Sequence, residues 1–225
     1  MAKPGSKPGS GAAGSGAAET RAALIRGAIG ALSDTGYAGA SAREIARRAE
    51  CNQALIFYHF GSVDGLLLAA LDEVSAARLT KYQEAVQRSG TLSDLVKTAR
   101  SVFEEDLDRG YVAVLAAMIA GAQSSPTLGA EVAVRLAPWR EFAADSLRPF
   151  LASTPLAGMI RGEEIAHAIV ALYLGLEMLA SLDGDRAAAL ALLDRARRAA
   201  SLLDVLGAGS PVRDRQHHHG QQGSP

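Results

Sequence analysis

The sequence predicts an all-α protein with a small N-terminal domain and a larger helical one behind it. Three observations carry this. The 225 residues are 48% hydrophobic but only 5% aromatic, and Ala and Leu, two of the best helix formers, dominate the apolar share. Apolar residues recur three to four apart through most of the chain, which is the spacing of one helix face. Ser, Thr, Asn, Gly and Pro punctuate that pattern where caps and turns are needed. About nine helices are expected. A disordered arm is expected over residues 1–18, a first domain over 19–66, a second over 67–206 and a disordered tail over 207–225.

A first helix over 19–35 carries Leu24, Ile25, Ala28 and Leu32 on one face and stops at Gly36, read as a left-handed C-cap. The stretch SAREIARRAECNQALIFYHF follows, from Ser41 to Phe60. Ser41 is a good N-cap, since its hydroxyl can accept from a backbone N–H that a starting helix leaves orphaned. Ile45, Ala46 and Ala49 share a face, while Arg43, Arg47 and Arg48 point elsewhere. Glu50, Cys51 and Asn52 interrupt the pattern, and Asn52 can cap a second short helix in which Ile56 and Phe60 are spaced i, i+4. Two short helices joined by about three residues make a helix-turn-helix, whose second helix is placed for the major groove. Gln53 is the foremost candidate for a base contact, because its amide both donates and accepts, as an adenine edge requires. Asn52, Ala54 and Leu55 lie beside it at the end of the helix that reaches bases, and Ala54 or Leu55 suits a thymine methyl.

Charge adds little. The formal net charge is −1, so any attraction to nucleic acid must be local, and residues 41–60 carry a net of only +1. The single cysteine, Cys51, excludes an intrachain disulfide framework and suits a reducing cytoplasm, where it reads as a core thiol. The N-terminus lacks the apolar segment of a signal peptide. The uninterrupted apolar runs are about 12 residues long, short of a bilayer span, so no membrane segment is expected. His217 to His219 sit in the tail without further ligands, so no metal is expected there.

Ser62 caps a helix over 63–87 that begins in the first domain and ends in the second. Thr91 or Ser93 caps the next, which ends at Gly110. Residues 111–122 form a short, almost wholly apolar helix. Ser124, Ser125 and Pro126 break it before a long segment over 128–151, with Pro138 and Pro149 marking a kink and the end; a loop follows up to Gly162. Helices over 163–182 and 185–206, parted by Asp183 and Gly184, carry apolar residues on more than one face. That is more apolar surface than one core needs, and it implies a partner.

The run ECNQALIFYHFGSVDGLL, preceded by SAREIARRA and by Gly36 and Tyr37, closely resembles the DNA-binding domain of TetR/AcrR-type transcriptional regulators over about residues 20–74. Ile56, Tyr58, His59, Phe60, Gly61, Ser62, Leu66 and Leu67 match directly. The resemblance implies that Arg43 approaches DNA and that Tyr58 and His59 hold phosphates. It implies a homodimer formed by the helices at 163–182 and 185–206, a palindromic double-stranded operator and a small, largely apolar effector in the second domain. Phe103, Leu107, Met118, Trp139, Phe142, Tyr173 and Glu177 are candidates to line that effector's pocket. Departures fall at Leu55, Phe57 and Val63, where the family frequently has Thr, Tyr and Lys that approach the phosphate backbone, and at Glu50, where it has Gly. Glu50 is thus expected at positive φ, and DNA binding is expected to be weaker and less salt-dependent than is usual for such a domain, with Lys3 and Lys7 of the arm compensating in part. The alternative reading is a DNA-binding regulator with no small-molecule effector, constitutive or controlled by a protein. An enzyme is not expected: no P-loop, GxGxxG or GxSxG motif occurs, no cofactor is implied, and Glu163 and His167 read as i, i+4 neighbours.

Overall fold

The computed structural model describes residues 11–109, 111–152 and 161–208, and among these every regular element is a helix. The elements are α1 (Gly11–Gly39), α2 (Ala42–Arg48), α3 (Ala54–Phe60), α4 (Val63–Gln87), α5 (Leu92–Arg109), α6 (Tyr111–Ala122), α7 (Pro126–Arg135), α8 (Ala137–Ala152), α9 (Gly162–Asp183) and α10 (Arg186–Ala208).

Four boundaries differ from expectation. Helix α1 starts at Gly11 rather than after residue 18: the Ala-rich stretch is a good helix former, and Thr20 Oγ1 donates to the Gly16 carbonyl at 2.8 Å. The rest of the expected arm, with Lys3 and Lys7, lies outside the described residues. Gly36 has φ 68° and ψ −175°, so it kinks the helix in an extended glycine conformation instead of making a left-handed cap. The long segment over 128–151 is two helices, α7 and α8, parted at Leu136. Helix α10 runs to Ala208, and the rest of the expected tail, with His217 to His219, lies outside the described residues.

One body of packing runs across residue 66, where the two domains are expected to meet. One apolar core joins Leu24, Ile45, Ile56 and Leu66 of the first four helices to Val114 and Met118 of α6 and to Leu128 and Val132 of α7. Each such fully buried side chain contributes about 1.5–3 kcal/mol. Tyr37 lies against α6 so closely that a methyl group on Gly121 would sit 2.4 Å from its Cγ, so only glycine fits there. The phenol also donates to Asp64 Oδ1 at 2.8 Å, tying the end of α1 to the start of α4. The helix-turn-helix head thus shares its core with the helices behind it.

A smaller core forms around Phe103, Ala180 and Ala189, where α5, α9 and α10 meet. Asp204 of α10 reaches the start of α5 and accepts from the backbone N–H groups of Leu92 (2.9 Å) and Ser93 (3.0 Å), joining Thr91 in capping that helix. Against the expectation from uninterrupted runs, α9 over Gly162–Leu182 is long and apolar enough to cross a membrane by length and composition, with mean hydropathy 1.8. Its buried Glu177, however, is ion-paired to Arg78 of α4, which ties this helix into the helical body.

Candidate DNA interface and the cavity behind it

The turn between α2 and α3 is built by local rules. Ser41 Oγ accepts from Glu44 N–H at 3.3 Å to start α2. At its end, Cys51 N–H bonds back to the Ala46 carbonyl (3.1 Å) and Glu50 N–H to Arg47 (3.4 Å), the paired bonds of a Schellman motif. That motif needs a left-handed residue, and Glu50 takes the position at φ 53°, as expected from the absence of the usual Gly. Asn52 Oδ1 accepts from Ala54 N–H at 2.9 Å and opens α3. Ile56 is fully buried and anchors the helix, while Ala54, Phe57 and Tyr58 form its outward face, with Asn52 and Gln53 exposed at its start. Cys51 packs against the core, and burial pushes its thiol above the usual range, away from a reactive thiolate.

The basic residues are largely spoken for. Glu44 binds Arg47 through Nε (2.9 Å) and Nη2 (2.7 Å) and Arg48 through Nε (2.6 Å), and Arg48 also reaches Asp34 (2.6 Å). The hydrogen bonds from Arg47, then Arg48, hold the Glu44 carboxyl down at about 2, so the neutralisation persists at any working pH. Among the described residues Arg43 makes no ion pair and is exposed. Replacing Glu44 with Gln should free Arg47 and leave Arg48 with Asp34 alone. We expect the DNA affinity measured at low salt to rise by several-fold and the salt slope to steepen by about one to two charges. An unchanged slope would mean that Arg47 and Arg48 point away from the duplex.

Helix α4 leads from this surface to a cavity. Ser62 caps it beside the head, accepting from Gly65 N–H at 2.9 Å. Its buried stripe then runs Leu67, Leu71, Val74, Arg78 and Tyr82. The last four line a cavity of about 300 Å³ between α4, α5, α8 and α9, whose surface is almost wholly apolar. Arg78 donates from Nε (3.1 Å) and Nη2 (2.5 Å) to Asp106 Oδ2 and from Nη2 to Glu177 Oε1 (3.2 Å), and its guanidinium stacks 5.5 Å from the Trp139 ring centre. Burial works against the charge of Arg78, but Glu177 and Asp106 more than restore it and raise its pKa. Glu177 is fully buried and its Oε2 has no hydrogen-bond partner among the described residues. Burial outweighs the pull of Arg78, and its carboxyl is pushed up to about 7.

Residues 24–70 match the family model described as bacterial regulatory proteins, tetR family. The HTH-type transcriptional repressor Rv3405c of Mycobacterium tuberculosis is 38% identical over 63 residues, a match that spans 28% of this chain and only 33% of the relative. Among solved structures, a TetR-family regulator from Rhodococcus sp. superposes with TM-score 0.69 at 20% identity, covering 83% of this chain and 99% of that one. FadR from Bacillus subtilis, solved with stearoyl-CoA, superposes with TM-score 0.67 at 15% identity, over 84% and 99% of the two chains. Residues 24–70 are a DNA-binding domain of the TetR family. The structural likeness extends the family's fold through α10, and the members of this family are DNA-binding regulators rather than enzymes.

On this TetR fold the candidate DNA-contacting residues divide. Arg43, Asn52, Gln53, Ala54, Phe57 and Tyr58 are all exposed on or beside the outward face of α3. His59 is half-buried with its ring 4.9 Å from that of Tyr58, and Leu55 is half-buried against the core, which limits its reach toward a base. Val63 also packs on that core, so the apolar residue that displaces the family's Lys is used in packing. The candidate pocket residues divide too. Trp139, Phe142 and Tyr173 line the cavity. Phe103 and Leu107 belong to the smaller core, Met118 to the larger one, and Glu177 stands behind the cavity wall on Arg78. Sequence reasoning missed Arg78 and Tyr82; the available signal was the stripe of α4, whose spacing puts both in line with Leu71 and Val74.

Proposed function

We propose that this TetR-family chain is a cytoplasmic, homodimeric transcriptional repressor that binds a palindromic operator and leaves it when a small, largely apolar effector enters the cavity. The observation that carries this reading is the continuity of α4. It is one helix of 25 residues, about 37 Å long. Its capped start abuts the recognition helix, and the residues of its second half wall the cavity. An occupant that prefers one placement of α4 biases the spacing of two such heads in a dimer, which is a shift of population between DNA-competent and incompetent forms. A cavity of about 300 Å³ supports this reading over regulation without an effector, which would suit a collapsed interior. That FadR was solved with stearoyl-CoA is consistent with the fold accepting an apolar occupant. The dimer is supported by the outward apolar residues of the last two helices, Leu172, Leu179 and Leu182 of α9 with Leu202 and Val205 of α10.

Selection of bound DNA from a random library at two salt concentrations tests the reading. Enrichment of one palindrome is expected, and Gln53→Ala should relax preference at specific positions by about 1–3 kcal/mol. A folded, dimeric protein that enriches nothing would overturn it.

A further inference from the structure

The cavity holds few polar groups, and the packing has already assigned most of them parts. Among the described residues that line it, Arg78 and Arg135 are the charged ones. Arg78 faces Asp106 and Glu177, as described above. Arg135 donates from Nε (2.8 Å) and Nη2 (3.2 Å) to Asp72 and from Nη1 to Glu131 (2.7 Å). Two cations stand against four carboxylates, so the wall has no positive charge to spare for an anion. Among the described residues no carboxylate lines the cavity to receive a cation, and burying an unpaired ion of either sign is costly.

The two phenols that meet at Asp106 are oriented by elimination. Asp106 Oδ2 accepts from Tyr173 Oη at 2.8 Å, so the single phenolic proton of Tyr173 is committed. The Tyr173 oxygen then accepts from Tyr82 Oη at 2.5 Å, which commits the proton of Tyr82 as well. What Tyr82 retains is an acceptor, in a mostly apolar cavity where Ser75 already accepts from Trp139 and Thr98 pairs with Ser89, and where Tyr111 and Ser146 carry the remaining hydroxyls.

We propose, building on the effector reading above, that the effector is an uncharged, largely apolar alcohol or phenol whose hydroxyl donates to Tyr82 Oη. The class excludes carboxylates and amines of the same length for want of a free counter-charge. It disfavours ethers for want of a proton.

Trp139, the single tryptophan of the chain, lines the cavity, so its fluorescence reports occupancy directly. Full-length protein would be titrated with four probes of one chain length: 1-decanol, its methyl ether, decanoate and decylamine, at pH 8. Decanol should bind about five-fold tighter than the ether, the worth of one hydrogen bond, and at least about ten-fold tighter than either ion. Tyr82→Phe removes one atom and keeps the ring packed on Trp139 and Phe142. It should bring decanol down to the affinity of the ether and leave the ether unchanged. Decanoate or decylamine binding as well as decanol in the wild type, or an alcohol–ether gap that survives Tyr82→Phe, would overturn this inference while leaving an effector cavity in place. No response to any probe would overturn the cavity reading and this inference with it, and the DNA selection would still stand on its own result.

Discussion

Replacing Arg78 with Met should cost about 3–5 kcal/mol of stability, because it strands two carboxylates in the interior. Asp106 is 2% exposed and Glu177 not at all, so neither can recover its lost partner from water. For a chain of this size that loss lowers the melting temperature by about 10 °C. Part of it should return when Asp106 is replaced by Leu in the same chain, since an apolar pair of similar volume avoids the uncompensated charge. The pH dependence follows from the same site. The Glu177 carboxyl is raised to about 7 by burial, against about 4.5 for an ordinary glutamate. The folded state therefore binds more protons than the unfolded state between those values. Its contribution to stability is full below the ordinary value and lost as pH rises through about 7. Glu177→Gln should remove that slope, and in Arg78→Met the deficit should grow from pH 5 to pH 8. Urea unfolding at the two pH values checks both, and a small, pH-independent loss in Arg78→Met would mean that the network is hydrated and not structural.

Glu substitutions at Leu179 and Leu202 should turn the proposed dimer into a monomer. Both side chains lie on the outer faces of the last helices, at 59% and 68% exposure within one protomer, so charging them leaves the monomer's own core alone. Their effect on protomer stability should stay within about 0.5 kcal/mol. A symmetric interface meets each substitution twice, and burying four carboxylates in apolar contact should weaken dimerisation by at least about a hundredfold. Sedimentation across a concentration series measures this directly. Operator affinity should fall with it, since a single head covers only half of a palindrome. A double variant that still sediments as a dimer would place the interface on some other face and remove the reason offered here for the apolar surplus of α9 and α10.

Much of this was readable because it is local. The limits of α4 at Val63–Gln87 and of α6 at Tyr111–Ala122 follow from Ser62, from Pro126 after the serines and from the apolar spacing between them. Glu50 at positive φ is likewise legible, as the residue occupying a turn position that favours Gly. The outward face of α3 follows from the helical period once Ile56 is placed inside. Where the reading went astray, helix-forming residues ran past an assumed boundary, as at Gly11–Ala18, or a helix qualified as long and apolar without one uninterrupted run, as in α9.

The cavity and its polar wall belong to a different order. Asp106 and Glu177 are 28 and 99 residues from Arg78 along the chain, and the three meet because α4, α5 and α9 come together there. The same holds for Tyr37 on Gly121, which joins the head to α6. By itself the sequence determined the helices, the reading head and the surplus apolar face, since capping, periodicity and composition act over a few residues. The tertiary structure alone decided which aromatic residues became core and which became wall, and which charges were cancelled. Burial and ion pairing depend on contacts between distant segments, and helical period carries no information about those.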